Sequence, residues 1–312
     1  MRLRARLKAR IRAFFDATQT LEVDTPALSL AAPTDPHIAG LQTGLSVLPG
    51  RRIYLQSSPE FPMKRLLAAG VGDCWQLARV FRDGERGRRH NPEFDLLEWY
   101  RIGIDHHDLM DEVEALLTAL VRPERPVEPA ERWSYQEAFR RFAGVDPLAA
   151  AMHELRAAAA GAGLAPVDGL EDDDRDGWLD RLLTGAVTPR LPRDRPVFLY
   201  DWPASQAALA RLDPADARVA HRFELYWGEL ELANGFHELA DATEQRDRFE
   251  ADLARRDALG LQRPPIDEAL LAALESGLPE CAGVALGFDR LAMVTAGVDT
   301  IDAVLAFPVE RS

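Results

Sequence analysis

The chain is short of cysteine, of long apolar runs and of positive charge. Among 312 residues there are two cysteines, Cys74 and Cys281, and their spacing matches neither a zinc-ligand set nor a disulfide framework. No apolar run approaches the ~20 residues that a membrane-spanning helix needs. The formal net charge of -14 argues against broad electrostatic attraction to nucleic acid. These absences predict a soluble cytoplasmic protein with no membrane segment.

Hydrophobic periodicity predicts an α+β fold with a mainly antiparallel sheet flanked by helices. Strand-like runs occur at 51–57, 74–83, 94–102, 197–203, 223–236 and 281–287, and helical patterns at 59–70, 105–121 and 288–297. The Ala-, Pro- and Asp-rich stretch at about 122–194 is interpreted as a helical insertion in a single domain that spans residues 1–312. A basic amphipathic helix opens the chain, with Leu3, Leu7, Ile11 and Phe14 on one face. Its basic face is either solvated or a docking surface for an acidic macromolecule.

The stretch FRDGERGRRHNPEFDLLEWY, from Phe81 to Tyr100, crowds cationic side chains and then follows them with acids. Arg82 ends an apolar strand, as expected of an arginine that points into a site. Phe94 has a ring that can stack on a purine, and Glu98 and Tyr100 alternate onto one face of the next strand. A site that binds a polyanion beside a cation explains both charge signs.

The segment FELYWGELELANGFHEL offers paired carboxylates. If Trp227-Gly228 forms a two-residue turn, Glu224 lies opposite Glu231. Like charges in a cross-strand pair are destabilising unless a cation lies between them, and carboxylate oxygens suit Mg²⁺. The alternative is two glutamates on a solvated sheet face. Glu238, which follows an Asn234-Gly235 turn signal, suits a substrate ammonium or an arginine of the fold.

The segment GVALGFDRLAM, residues 283–293, places small residues in a strand that leads to a helix. Such residues permit close backbone approach by a ligand, and Arg290, early in the helix, is within reach of a phosphate. The signal is weaker than a Walker loop, and neither that loop nor a dinucleotide fingerprint occurs in the chain.

Taken together, these segments resemble the class II aminoacyl-tRNA synthetases in their lysyl form. FR…RHNPEF..LEWY is similar to motif 2, GVALGFDRL to motif 3, and LEVDTPAL, with Pro26, to the dimer-forming motif 1. Because the pattern starts almost at Met1, no OB-fold that reads an anticodon is expected. HNPEF..LEWYR, PASQA at 203–207 and Ala285, where lysyl-tRNA synthetases have glycine, resemble the elongation factor P lysine ligases in particular.

The resemblance implies that ATP and Mg²⁺ activate (R)-β-lysine, and lysine less well, as an adenylate. The product is then transferred to a lysine side chain of elongation factor P by a homodimeric enzyme that does not use tRNA. It implies catalytic roles for Arg82 and Arg290, and Mg²⁺ ligands at Glu224 and Glu231. The implied substrate positions are Ser58, Pro59, Glu60, Glu98, Tyr100, Asn234, Glu238 and Ala285. The implied ATP positions are Arg82, Asp83, Gly84, His90, Asn91, Phe94, Glu231, Leu232, Gly287 and Arg290.

One departure from the family pattern concerns ATP. The family's motif 2 reads F-R-x-E, whereas this chain has Gly84 in the fourth position and Glu85 one place later. The glutamate that contacts adenine in the family is therefore displaced, and Glu85 or a backbone carbonyl is the expected substitute. The alternatives to the ligase are a truncated lysyl-tRNA synthetase that charges tRNA and a catalytically inactive synthetase-like regulator.

Overall fold

A computed structural model of the chain describes residues 1–165 and 169–312. The described chain divides into two compact units. Unit 1 consists of Met1–Ile104 and Leu239–Ser312, and unit 2 of Asp105–Glu238. No helix in the described ranges is both long enough and apolar enough to cross a membrane.

The elements are numbered along the chain. The helices are α1 (Arg2–Ala17), α2 (Glu60–Ala68), α3 (His106–Val121), α4 (Tyr135–Phe142), α5 (Met152–Gly161), α6 (Arg175–Leu182), α7 (Ala242–Ala258), α8 (Glu268–Gly277) and α9 (Phe288–Ala296). The strands are β1 (Leu21–Glu22), β2 (Leu28–Ser29), β3 (Gln42–Thr43), β4 (Ile53–Leu55), β5 (Cys74–Phe81), β6 (Glu93–Ile102), β7 (Glu131–Ser134), β8 (Pro196–Pro203), β9 (Val219–Trp227), β10 (Leu230–His237) and β11 (Cys281–Gly287).

Unit 1 is built on strands β5, β6 and β11, which pair antiparallel, with β1 added parallel to β5. A small antiparallel sheet of β2, β4 and β3 accompanies them. In unit 2, β8 pairs antiparallel with β9 and β9 with β10, while β7 runs parallel to β8. These mainly antiparallel pairings, together with the helices, confirm the predicted α+β class.

Helix α1 is amphipathic as predicted, but Phe15 rather than Phe14 is buried and one basic residue lies in the core. Leu7, Ile11 and Phe15 are fully buried, and the Phe15 ring stacks on Trp75 with centroids 4.9 Å apart. Arg4 is also buried, where it pairs with Asp289 and, at 2.8 Å, with Asp95. A buried cation needs such partners, so at least part of the basic face belongs to the core.

Helix α3 begins and packs as its sequence predicts. The Asp105 side chain caps it by accepting from the backbone nitrogens of His107 and Asp108, at 2.8 and 3.0 Å. The predicted apolar face is fully buried: Leu109, Val113, Leu116 and Leu120.

The region predicted as a helical insertion, about 122–194, contains α4, α5 and α6. It also contains β7, which pairs with β8 and so extends the sheet of unit 2. Four residues, ERWS, are too short to give a clear alternating pattern. Residues 166–168 of this region lie outside the described chain.

The β9–β10 hairpin corrects two turn predictions. Trp227 pairs with Leu230, so the turn residues are Gly228 and Glu229 rather than Trp227 and Gly228. Gly228 has φ +57, a conformation that glycine adopts without strain, and this moves the register by one residue. Asn234-Gly235, a common turn pair, instead lies inside β10 because both neighbours continue the ladder with β9.

Candidate active site

In unit 1, small residues of β11 pair with the acidic and aromatic residues of β6 that were predicted to bind substrate. Ala285 pairs with Glu98, and Gly283 pairs with Tyr100. Since cross-strand partners share a face of the sheet, these small residues stand beside the Glu98 and Tyr100 side chains.

The Glu98 carboxylate is 1% exposed and accepts hydrogen bonds from two hydroxyls. Tyr100 Oη donates to one oxygen at 2.6 Å, and Ser58 Oγ donates to the other at 2.8 Å. Ser58 Oγ also accepts from the backbone nitrogen of Glu60 at 2.9 Å, which ties the start of α2, after Pro59, to this carboxylate. The structure therefore brings together three residues that were predicted to bind substrate.

Glu60 has a partner within its own helix. Its carboxylate lies 2.7 Å from Lys64 Nζ, and Lys64 is buried. A substrate ammonium at Glu60 would therefore share the carboxylate with Lys64. Substrate binding by Glu60 remains a prediction.

Arg82 and Phe94 form the aromatic and cationic part of the unit 1 site. The Arg82 guanidinium lies over the Phe94 ring, 5.2 Å from its centroid, and 3.6 Å from Glu85. Phe94 packs against a small apolar cluster of Ala78, Val80 and Leu96, as does Ala285. A flat ring backed by apolar residues and flanked by a guanidinium suits a nucleobase beside phosphate.

The departure at Gly84 has a local explanation. Gly84 has φ +75, in the left-handed region where side chains other than glycine are strained. Its backbone nitrogen donates to the carboxylate of the preceding residue, Asp83, at 2.9 Å, and both residues lie in a turn. A glutamate at this position would oppose that turn, so the loop conformation and the missing family glutamate belong together.

His90 and Arg290 meet directly, with His90 Nε2 2.6 Å from Arg290 Nη2. Gly287 immediately precedes α9, the helix that contains Arg290. A Cβ added to Gly287 would contact the Arg290 side chain at 3.6 Å. Asn91 is buried, and its amide donates to Glu93 O and accepts from Val309 N. Those contacts give Asn91 a structural role in the loop; its predicted contact with ATP remains a prediction.

Other arginines of the loop contact the C-terminal segment. Arg86 lies 2.5 Å from Glu310 and 3.1 Å from Asp302, which raises the pKa of its guanidinium. Arg88 lies 3.8 Å from Asp299, and its carbonyl accepts from Ile301 N.

Unit 2 holds the carboxylates of the β9–β10 hairpin in a register that differs from the prediction. Glu224 pairs with Asn234, and Glu231 pairs with Tyr226. The predicted direct Glu224–Glu231 pair is therefore wrong. A bulge between Glu231 and Ala233, at Leu232, restores Glu231 and Asn234 to the face that carries Glu224.

Glu224 is the most perturbed carboxylate of this hairpin. It is buried, and it accepts hydrogen bonds from Arg222 and from the Tyr226 hydroxyl. Burial raises its pKa to about 7; the Arg222 charge opposes this shift, and the negative charge of Glu231 adds to it. Two carboxylates on one face of the hairpin fit a divalent cation, since a bound cation would offset their repulsion. These residues therefore fit Mg²⁺.

Arg222 and Tyr226 were missed by the sequence reasoning. Arg222 also donates to the Asn234 side chain at 3.3 Å and to Gln206 O at 2.5 Å. Both residues stand two positions from Glu224, so strand alternation alone places them on its face. Glu238 is buried, and its backbone bridges to Ala210; its predicted role remains a prediction.

Comparisons with known proteins identify the family of the chain. The model of the class II tRNA synthetase family (D, K and N) matches residues 1–311. A Vibrio cholerae protein named elongation factor P–(R)-β-lysine ligase is 52% identical over 315 residues, which cover 100% of this chain and 96% of that protein. Proteins of the same name from Klebsiella pneumoniae and Edwardsiella ictaluri are each 50% identical over 312 residues, which cover 99% of this chain and 94% of each relative.

A family match over nearly the whole chain, with relatives that share half of its residues, confirms the resemblance found in motifs 1, 2 and 3. The chain belongs to the family of class II tRNA synthetases (D, K and N), on the branch of proteins named elongation factor P–(R)-β-lysine ligase.

Proposed function

We propose that this chain is a ligase that uses ATP to activate (R)-β-lysine as an adenylate and transfers it to a lysine side chain of elongation factor P. The names of the similar proteins support the acceptor and the amino acid. The observation that carries the proposal is the Glu98 carboxylate, buried beside Ala285 and held by Tyr100 and Ser58. A buried carboxylate with neutral donors suits an amine-bearing substrate.

Unit 1 supplies the groups for ATP in this proposal. Arg82 binds the α-phosphate, Phe94 stacks on adenine, and Arg290, oriented by His90, binds the far end of the triphosphate. Arginine suits these roles because its planar fork makes paired hydrogen bonds to phosphate oxygens. Glu98 and Tyr100 hold the terminal ammonium, and a positive charge beside a buried carboxylate stabilises it, which selects for diamino acids.

Unit 2 supplies the metal ligands. Glu224 and Glu231 would hold Mg²⁺, an ion that supplies positive charge for phosphoryl chemistry when it is bound. Arg222 and Tyr226 hold the Glu224 carboxylate in place before the ion arrives. Because Glu224 has a pKa of about 7, metal binding favours its deprotonated form.

The reaction then needs positioning and charge rather than a general acid. A carboxylate oxygen of the amino acid attacks the α-phosphorus, the bond to diphosphate breaks, and Arg82 stabilises the developing charge. The amine of the acceptor lysine next attacks the acyl carbon, an amide bond forms, and AMP leaves. The amine's proton passes to solvent.

The proposal also covers the compartment and the oligomeric state of the enzyme. We place it in the cytoplasm as a homodimer that acts without tRNA. In support of the dimer, residues 21–28 resemble the dimer-forming motif 1 of the family.

Pyrophosphate exchange into ATP tests the activation step. We expect exchange with (R)-β-lysine to exceed exchange with L-lysine by at least about tenfold, a difference of about 1.4 kcal/mol. No exchange with either amino acid would support an inactive regulator. A preference for L-lysine together with charging of tRNA would support a truncated synthetase instead.

A further inference from the structure

A cluster of histidines in unit 2 has no part in the proposed reaction. His106 opens α3, His221 lies in β9, and His237 ends β10. One ring nitrogen of each lies within 4.8 Å of a ring nitrogen of the other two. The His106 and His221 rings stack with centroids 4.5 Å apart, and His221 and His237 with centroids 5.7 Å apart.

The cluster lies on the hairpin face opposite the proposed magnesium ligands. Glu224 pairs with Asn234, and the side chains of a strand alternate between faces. His221 is three positions before Glu224 and His237 is three positions after Asn234, so both face away from that pair. The two sets of ligands are therefore separate.

Carboxylates stand behind two of the rings. His106 Nε2 lies 3.3 Å from Asp201 Oδ1, and His221 Nε2 lies 3.7 Å from Asp213 Oδ2. Asp201 sits at a β-bulge of β8 with φ +58, a conformation that is strained for aspartate. Bulges re-aim side chains, and this one directs a carboxylate to His106. A histidine that binds a metal through one ring nitrogen commonly donates the N–H of the other ring nitrogen to a carboxylate in this way.

The opposite nitrogens of the same two rings point to a ligand. Within the described chain, the Nδ1 atoms of His106 and His221 are buried and make no hydrogen bond. His106 is 3% exposed overall. Buried polar atoms nearly always have a bonding partner. A group that accepts a lone pair from each Nδ1 atom, such as a metal ion, is therefore expected here.

We propose that His106, His221 and His237 bind one zinc-class transition-metal ion, with Asp201 and Asp213 orienting the first two rings. Imidazole donors suit Zn²⁺, whereas Mg²⁺ prefers oxygen. Tetrahedral zinc needs nitrogens at about 2.1 Å from the ion, so the stacked rings turn about χ2 when it binds. The ion links the start of α3 to β9 and β10, and a fourth position is left for water.

Metal content tests this site, with protein that carries no histidine tag. After equilibration with Zn²⁺ and removal of excess ion, elemental analysis should give about one zinc per chain. Substitution with Co²⁺ should give the visible bands of a tetrahedral nitrogen site. Zinc should also raise the melting temperature, because it binds the folded state alone.

Variants assign the ligands. His106→Ala, His221→Ala and His237→Ala should each lose the zinc and the cobalt bands. Asp201→Asn should keep the bands and lower the affinity by about tenfold or more. His153→Ala, an exposed histidine on α5, and Glu231→Gln, on the other hairpin face, should keep the zinc.

His107 provides the sharpest control, because His106, His107 and Asp201 form a second candidate ligand set. His107→Ala should retain zinc. Retention in His237→Ala with loss in His107→Ala would overturn the assignment, as would loss of zinc in Glu231→Gln. A tag-free wild-type protein that binds no zinc would overturn the site itself. If the His106 variant fails to fold by circular dichroism, the half-buried His221 decides.

Discussion

The arginine-rich loop of unit 1 and the β9–β10 hairpin of unit 2 each concentrate charge of one sign, and the structure divides that charge in the same way. In the loop, Arg86 and Arg88 contact acids of the C-terminal segment. Arg82 contacts an acid of the loop itself, Glu85, and its guanidinium lies over the Phe94 ring.

The hairpin shows the corresponding division among glutamates. Glu229, at the turn, pairs with Arg193 near the surface. Glu224 is buried beside Arg222 and Tyr226, and its pKa is raised by burial and by Glu231. The comparison shows that a charge-rich sequence segment contains more charged residues than bind a ligand. The burial of each side chain and the residues that it contacts identify the ones suited to a ligand.

The largest expected effect separates two glutamates of the hairpin. Glu231→Gln should lower pyrophosphate exchange by about a thousandfold, because metal charge on the phosphates contributes several kcal/mol. Glu229→Gln, on the same hairpin, should stay within about twofold, as expected for a surface ion pair. Equal losses of exchange activity in both variants would contradict a metal-binding role that is specific to Glu231. Circular dichroism would check that both variants fold.

The next effect separates two arginines of the loop. Arg82→Ala should lower kcat/KM for ATP by about a hundredfold to a thousandfold, since it removes a charge that acts in the transition state. Arg88→Ala should stay within about twofold because its contact with Asp299 is exposed. If the two variants lose activity alike, the loop would act as a diffuse positive surface.

A smaller effect concerns stability. Glu224 has a folded pKa of about 7 against an ordinary 4.5, so the folded state holds its proton more tightly. The free energy of unfolding therefore falls as pH rises from 4.5 to 7, and the loss persists above that range. Glu224→Gln should remove this loss. The free energy of unfolding of the variant, minus that of wild type, should therefore be roughly 1–3 kcal/mol higher at pH 8 than at pH 4. Urea unfolding at both pH values measures the difference; a relative loss at pH 8 would contradict the assignment.

The smallest expected effect concerns Arg86, whose ion pairs connect the arginine-rich loop to the C-terminal segment. Arg86→Ala should raise KM for ATP by about two- to fivefold and leave kcat nearly unchanged, because exposed ion pairs are individually weak but position the loop. Arg195→Ala, which removes a comparable exposed pair with Asp194, is the matched control. A change in kcat alone would place Arg86 in the chemical step.

Strands, helices and the family motifs were predictable from the sequence because periodicity and motif spacing are local. The face shared by Glu98 and Tyr100 followed from strand alternation, and the hydrogen bond between them confirms it. The Glu224 register was not predictable, because a one-residue change of turn and a bulge at Leu232 depend on packing. Nor could the sequence show which arginines contact the C-terminal segment, since those partners lie far along the chain. The histidine cluster was missed because its members come from three separate elements.

Intact-mass analysis of unmodified elongation factor P tests the central claim most directly. The factor is incubated with this protein, ATP, Mg²⁺ and (R)-β-lysine, and a parallel reaction offers lysine tRNA as the acceptor. The account predicts that the factor gains the mass of one β-lysyl group on a lysine side chain while the tRNA stays uncharged. An unchanged factor beside a charged tRNA would contradict it.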